Sequence, residues 1–140
     1  MRLLLALTQP AKLESLEGLI RSISDCARAQ GFDKKRISEI ELATEEALVN
    51  IFKYSYPGKP GEVEIICKLD ENRFIIEIID FGIPFDVTSW PDPDITADRD
   101  ERKIGGLGVF LIKKMVDEVR YRRENNRNIL DLIVKKEEEK

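Results

Sequence analysis

The period of the apolar residues changes part-way along the chain, and that change decides the fold class. Before Pro57 apolar residues recur every three or four positions. Leu13, Leu16, Ile20, Ile23 and Ala27 mark one stripe, and Ile37, Ile40, Ala43, Ala47, Ile51 and Tyr54 mark another. Both are faces of amphipathic helices. Gly31 stops the first, Asp33 is placed to cap the second, and Pro57-Gly58 ends it. Lys34, Lys35 and Arg36 oppose the helix dipole in its first turn, so that boundary is the less sharply written. From Glu62 the period drops to two. Val63, Ile65, Cys67 and Leu69 share one face, and after the turn Asp70-Glu71-Asn72-Arg73 so do Phe74, Ile76 and Ile78. That is a β-hairpin.

The ends follow the same logic. Leu3 to Leu7 reads as a short buried strand, with Pro10 at the first position of the helix that follows. Phe81 to Ile104 has no periodicity. A stretch of about two dozen such residues is longer than a compact domain holds without a functional reason. Gly105-Gly106-Leu107-Gly108 opens a third helix carrying Phe110, Leu111 and Met115. Arg120 to Arg123 and Ile129 to Val134 form a last hairpin across Glu124 to Arg127, and Lys135 to Lys140 is a charged tail. The order β-α-α-β-β-loop-α-β-β predicts an α/β (α+β) two-layer sandwich. Three helices lie on one face of a mostly antiparallel sheet. With 140 residues and no repeat or linker, the expectation is one domain, 1–140.

Composition narrows the chemistry. There is no histidine. Ser-His and Cys-His catalytic pairs, histidine metal ligands and phosphorylation on the chain's own histidine are therefore excluded. Two cysteines, Cys26 and Cys67, are too few for a zinc cluster or a disulfide scaffold, and they read as small buried side chains in a reducing compartment. The balance of 23 basic against 27 acidic residues gives −4, no footprint of nucleic-acid binding. The apolar start is too short for a signal peptide or a membrane span.

Three places break the local rules. Glu46 and Asn50 lie four apart and border the apolar stripe of the second helix. They face one volume with oxygen donors of the kind Mg²⁺ prefers, although a solvated flank is the commoner role of a helical Glu. Asp80 ends its strand on the inward face, where a carboxylate needs a donor. Gly82 follows in a tight turn, so Asp80 reads either as a turn cap or as the floor of a pocket that accepts from a ligand's amino group. Gly105-Gly106-Leu107-Gly108 at a helix start frees N–H groups for an anion, or serves as a hinge. No P-loop pattern occurs.

Taken in order, these motifs resemble the GHKL ATPases, which share a histidine-kinase-like ATP-binding (Bergerat) fold, and within them the bacterial anti-sigma factor serine/threonine-protein kinases. Glu46-Ala47-Leu48-Val49-Asn50 matches the N box. Asp80-Phe81-Gly82-Ile83-Pro84-Phe85-Asp86 matches the first glycine box, with the Pro-Phe-Asp ending of the anti-sigma branch. Gly105-Gly106-Leu107-Gly108-Val109-Phe110-Leu111-Ile112 matches the second. The resemblance spans roughly Met1 to Lys136 and implies a set of roles. Glu46 is the general base. Asn50 holds Mg²⁺ on the ATP phosphates, and Lys53 is placed for a phosphate contact. Asp80 accepts from the adenine amino group, with Gly82 and Pro84 shaping the turn beside the base. Gly105, Gly106, Leu107, Gly108 and Val109 line the phosphates. An ATP lid covers about 86–104, where Arg99, Arg102 and Lys103 could reach phosphate among the acidic Asp92, Asp94, Asp98 and Asp100. The Thr common near adenine in the last strand is missing from Asn128-Ile129-Leu130-Asp131-Leu132.

The implied activity is ATP-dependent phosphorylation of a serine on an anti-sigma factor antagonist. Sequestration of a sigma factor by partner switching goes with it, in a cytoplasmic homodimer without nucleic acid or membrane. The alternatives are a stand-alone module that phosphorylates a histidine in another chain, and a non-catalytic ATP-binding adaptor.

Overall fold

The computed structural model describes residues 1–89 and 106–136, the side chains of residues 106 and 107 excepted. Strands β1 (Arg2–Pro10), β2 (Glu62–Asp70), β3 (Arg73–Asp80), β4 (Glu118–Glu124) and β5 (Arg127–Lys135) form one five-stranded sheet. Its order is β1-β2-β3-β5-β4, and every pairing is antiparallel. Helices α1 (Leu16–Ala29), α2 (Lys34–Tyr54) and α3 (Gly106–Met115) complete the expected element order.

The period-two faces do what their spacing requires. Val63, Ile65, Cys67, Phe74, Ile76, Ile78, Leu130, Leu132 and Val134 are all buried, and they share one core with Leu19, Ile23, Ile40, Ala47 and Ile51 of the helices. Asp33 caps α2, accepting from the Arg36 N–H at 2.8 Å. Both hairpins close on two-residue turns. Asn125 and Asn126 each take positive φ in the second, which asparagine tolerates better than most residues.

Helix α2 packs against both α1 and α3. Arg36 near its start donates to the Met115 carbonyl at 2.8 Å and pairs with Asp117 at 2.5 Å, at the end of α3. The two helices therefore run antiparallel. The C-terminal half of α2, with Glu46 and Asn50, meets the start of α3.

Three boundaries differ from the sequence reading. β1 runs on to Pro10, so Pro10 ends a strand instead of starting a helix, and a 3-10 turn, Leu13–Ser15, comes before α1. Leu13 is exposed, outside the stripe it was assigned to, while Leu19 is buried in its place. The last hairpin is longer than Arg120–Arg123 and Ile129–Val134 at both ends.

The sheet face away from the core holds a charged cross-strand pair among isoleucines. Glu77 on β3 faces Asp131 on β5, with Ile75, Ile79, Ile129 and Ile133 buried around them. Lys68 pairs with Glu77 at 3.2 Å, and Arg122 reaches Asp131 at 3.1 Å. Burial, together with the hydrogen bond to Glu77 and its charge, pushes the Asp131 acid up to about 6. Burial pushes Glu77 up too, but its hydrogen bonds with Asp131 and Lys68 and the nearby cations leave it below its ordinary value. Asp131 thus binds its proton more tightly folded than unfolded. Its contribution is favourable at low pH and is lost as pH rises through about 6. Glu77 acts in the opposite sense, losing its contribution only as pH falls below the ordinary carboxylate range.

Asp131→Asn should therefore stabilise the protein by about 1–2 kcal/mol more near pH 8 than near pH 5. Thermal melts at the two pH values read the difference. An equal effect at both would contradict the assignment.

Candidate functional site

The two ends of the site are built by different elements. At one end α2 supplies Glu46 and Asn50, four residues and one turn apart. Glu46 is half-buried and Asn50 is buried. The start of α3 lies directly against them. A Cβ added to Gly108 would stand 2.5 Å from Glu46 Oε2 and 3.9 Å from Asn50 Nδ2. Glycine at 108 thus lets the helix start come this close to the Glu46 carboxylate, with Asn50 at ordinary contact distance. The first N–H groups of α3 have no partner within their own helix, and its dipole favours an anion there. The Asn50 carboxamide fits the same purpose. Its Nδ2 is buried without a hydrogen-bond partner among the described residues. A buried amide left open is costly unless a ligand completes it. Rotation about its last side-chain bond exchanges the two ends of the carboxamide and can turn its oxygen to a cation.

At the other end is Asp80, 2% exposed, on the inward face of β3. Its Oδ1 accepts from the Gly82 N–H and from Asn128 Nδ2, each at 2.9 Å. Burial pushes its acid above the ordinary value, against the lowering effect of those hydrogen bonds. The turn that follows is held to α2. Ile83 N donates to the Ser55 carbonyl at 2.9 Å. Tyr56 Oη accepts from Phe81 N at 2.7 Å, and the Tyr54 and Phe85 rings stack at 5.3 Å.

Gly82 proves to be required by the fold itself. A Cβ there would lie 2.0 Å from the Ser55 carbonyl oxygen and 2.6 Å from its carbon. Those are backbone atoms and cannot swing aside. Gly82→Ala should cost about 3 kcal/mol, or roughly 10 °C in Tm. An unchanged melt would show that the turn does not pack on α2 as described.

The remaining sequence-derived residues divide clearly. Lys53 is exposed on α2, one turn beyond Asn50, and Pro84 is exposed on the turn. Gly106, Leu107 and Gly108 begin α3. The Val109 side chain is 1% exposed in the core, so only its backbone can serve a ligand. Gly105, Trp90, the acidic residues 92–100 and the cations Arg99, Arg102 and Lys103 lie outside the described residues. Among the described residues no three His, Cys, Asp or Glu side chains gather to hold a metal. A cation here would depend on Asn50 and on the phosphates it arrives with, as Mg²⁺ commonly does. A broad cleft of about 1040 Å³ lies at the opposite end of the strands, between Phe32, Asp33, Asp117 and Lys135, and contains none of these residues.

One group was not singled out from the sequence. Asn128 is buried on the inward face of β5, opposite Asp80 in register. Its signal was there to read. It alternates with Leu130, Leu132 and Val134, a polar residue at the end of an apolar face, as Asp80 is on β3.

The chain is similar to known proteins. A family model described as a histidine kinase-like ATPase domain matches residues 9–134. The chain is 30% identical over 121 residues to the serine-protein kinase RsbW of Listeria monocytogenes, covering 83% of this chain and 77% of that protein. It is 28% identical over 125 residues to the serine-protein kinase RsbW of Bacillus cereus, covering 86% and 78%. Among solved structures, the RsbU and RsbW domains of a Mycobacterium tuberculosis protein superpose with TM-score 0.66 at 16% identity, over 94% of this chain and 32% of that one. The SiaB–SiaC complex of Pseudomonas aeruginosa gives 0.62 at 14% identity, over 95% and 90%. At such identities the structural likeness shows the fold. No helix among the described residues is long and apolar enough to cross a membrane.

Proposed function

Since the chain belongs to the histidine kinase-like ATPase domain family, we propose that it is an ATP-dependent protein serine kinase acting as an anti-sigma factor. Its substrate is a serine of an antagonist protein, and its second partner is a sigma factor. The observation that carries the reading is the meeting of Glu46, Asn50 and Gly108 at the start of α3. A base, a cation ligand and an anion-binding helix end are brought to one point.

Each residue has a task that its position allows. Asp80 accepts from the amino group of the base, and the start of α3 receives the phosphates. Asn50 would hold Mg²⁺ through its side-chain oxygen, and the cation would offset the charge of the phosphates. Glu46, with Oε2 against the helix start, takes the proton of the incoming serine hydroxyl. The serine oxygen forms its bond to the γ-phosphorus while the bond to the bridging oxygen breaks, and ADP leaves. Positioning and charge stabilisation supply most of such catalysis, so the lack of histidine is no handicap.

The phosphoacceptor is serine, because the relatives are serine-protein kinases. We place the protein in the cytoplasm, as a homodimer whose lid spans about residues 86–104. The partner-switching element is tested by competition. Unphosphorylated antagonist should displace the sigma factor in the presence of Mg-ATP, and antagonist with phosphate on its serine should not. Equal displacement by both forms would remove the switch and leave a kinase alone.

A further inference from the structure

Asn128 is the most heavily used polar side chain around the turn after β3. Its Nδ2 donates to Asp80 Oδ1 at 2.9 Å and to the Ile83 carbonyl at 2.7 Å. Its Oδ1 accepts from Tyr121 Oη at 2.5 Å, from Phe85 N at 3.2 Å and from Arg123 Nη1 at 3.2 Å. The same Arg123 nitrogen donates to the Gly82 carbonyl at 2.7 Å. A carboxamide has two N–H donors, and both are spent inside the protein. Its oxygen is spent as well. The side chain is thus locked, with β4 reaching across β5 to hold it.

We propose that Asn128, clamped by Tyr121 and Arg123, is the positioning residue that sets base choice at Asp80. The inference rests on the nucleotide reading of the site. Asn128 and the Gly82 N–H occupy Oδ1 of Asp80, so that carboxylate is fixed and its other oxygen, with the Ser55 side chain nearby, is the one left to accept from a ligand. An exocyclic amine on the base satisfies that oxygen. A keto group in the same place sets acceptor against acceptor, and the locked carboxamide has no N–H to offer it. Adenine is taken and guanine refused, at a step governed by a residue that need not touch the base. Refusal by an unpaired buried polar group is a strong form of selection.

Asn128→Asp isolates the donating side. It keeps the oxygen that Tyr121, Phe85 and Arg123 hold, and replaces the N–H groups with an oxygen facing Asp80 and the Ile83 carbonyl. Two carboxylates at that spacing cannot both ionise, so a shared proton must stand in for the amide N–H. The charged and titratable groups facing the pair are Asp80 on β3, Tyr121 and Arg123 on β4, and Tyr56 beyond the turn.

The experiment measures ATP and GTP affinity of the intact protein by fluorescence or calorimetry across pH. The wild type should prefer ATP and bind it no better as pH falls. The Asn128→Asp variant should bind ATP at least about tenfold better near pH 5.5 than near pH 8, a reversed slope that a purely structural loss would not give. Arg123→Ala removes an exposed side chain and keeps the test open where the first variant does not fold near pH 8. It should weaken ATP binding about threefold to tenfold, narrow the ATP-to-GTP ratio, and leave the transfer rate at saturating ATP unchanged. Arg123→Lys should recover part of the loss. Wild-type pH slopes and ATP-to-GTP ratios in both variants would overturn the proposal. A wild type that binds no ATP would instead overturn the nucleotide reading beneath it.

Discussion

Replacing Glu46 with glutamine should cut phosphoryl transfer by about 10²–10⁴-fold and leave Mg-ATP affinity within about twofold. The substitution changes almost nothing but the ability to take a proton. Glutamine has the shape of glutamate, and the residue is only half-buried, so the fold does not depend on its charge. What it loses is a base at one defined point. Glu46 Oε2 stands 2.5 Å from where a Cβ of residue 108 would be, hard against the helix start proposed to hold the phosphates. A hydroxyl attacking a phosphoryl group there would meet that carboxylate first. Transfer that survives in Glu46→Gln would mean that the proton goes elsewhere, and the catalytic assignment would fall. Loss of ATP binding together with transfer would mean that Glu46 shapes the nucleotide pocket.

Asn50→Ala should have the complementary effect, losing Mg-ATP binding and transfer together. The expected weakening is about a hundredfold, the scale on which damage to a metal site acts. The reason lies in burial. Asn50 is 6% exposed, and its Nδ2 finds no partner among the described residues. The fold gains little from such a group, so its removal should leave Tm unchanged or slightly higher. Chelating Mg²⁺ from the wild type should bring its ATP affinity down to that of the variant. In the variant the chelator should then change little, because the two losses are one interaction counted twice. Full sensitivity to chelation in Asn50→Ala would place the cation on other residues.

The elements were legible because each writes its own period. The hairpin β2–β3 needed only alternation and a polar turn, and the α2 cap needed only Asp33 before the stripe. The site motifs were legible for a related reason. Asp80 and Gly108 break the patterns of the strand and helix that carry them. What failed was local ambiguity. Pro10 suits a helix start, but it suits the end of an edge strand equally, where no partner needs its missing N–H. Asn128 failed differently. Its role depends on the β3–β5 register, which pairs Asp80 with Asn128 across 48 residues. No local spacing carries that pairing. Gly82 stands out in the sequence only as part of a tight turn, and the contact that needs its missing Cβ, the Ser55 carbonyl, is set by how α2 ends.

The central claim is that Glu46, Asn50 and Asp80 form one site that passes phosphate from Mg-ATP to a serine of another protein. It is tested most directly by incubating the protein with labelled Mg-ATP and a candidate antagonist, then identifying the labelled residue by mass spectrometry. The account predicts acid-stable phosphoserine on the antagonist, none on this chain, and none with Glu46→Gln. Label on a histidine of the partner, or ATP binding with no transfer to any protein partner supplied, would contradict it.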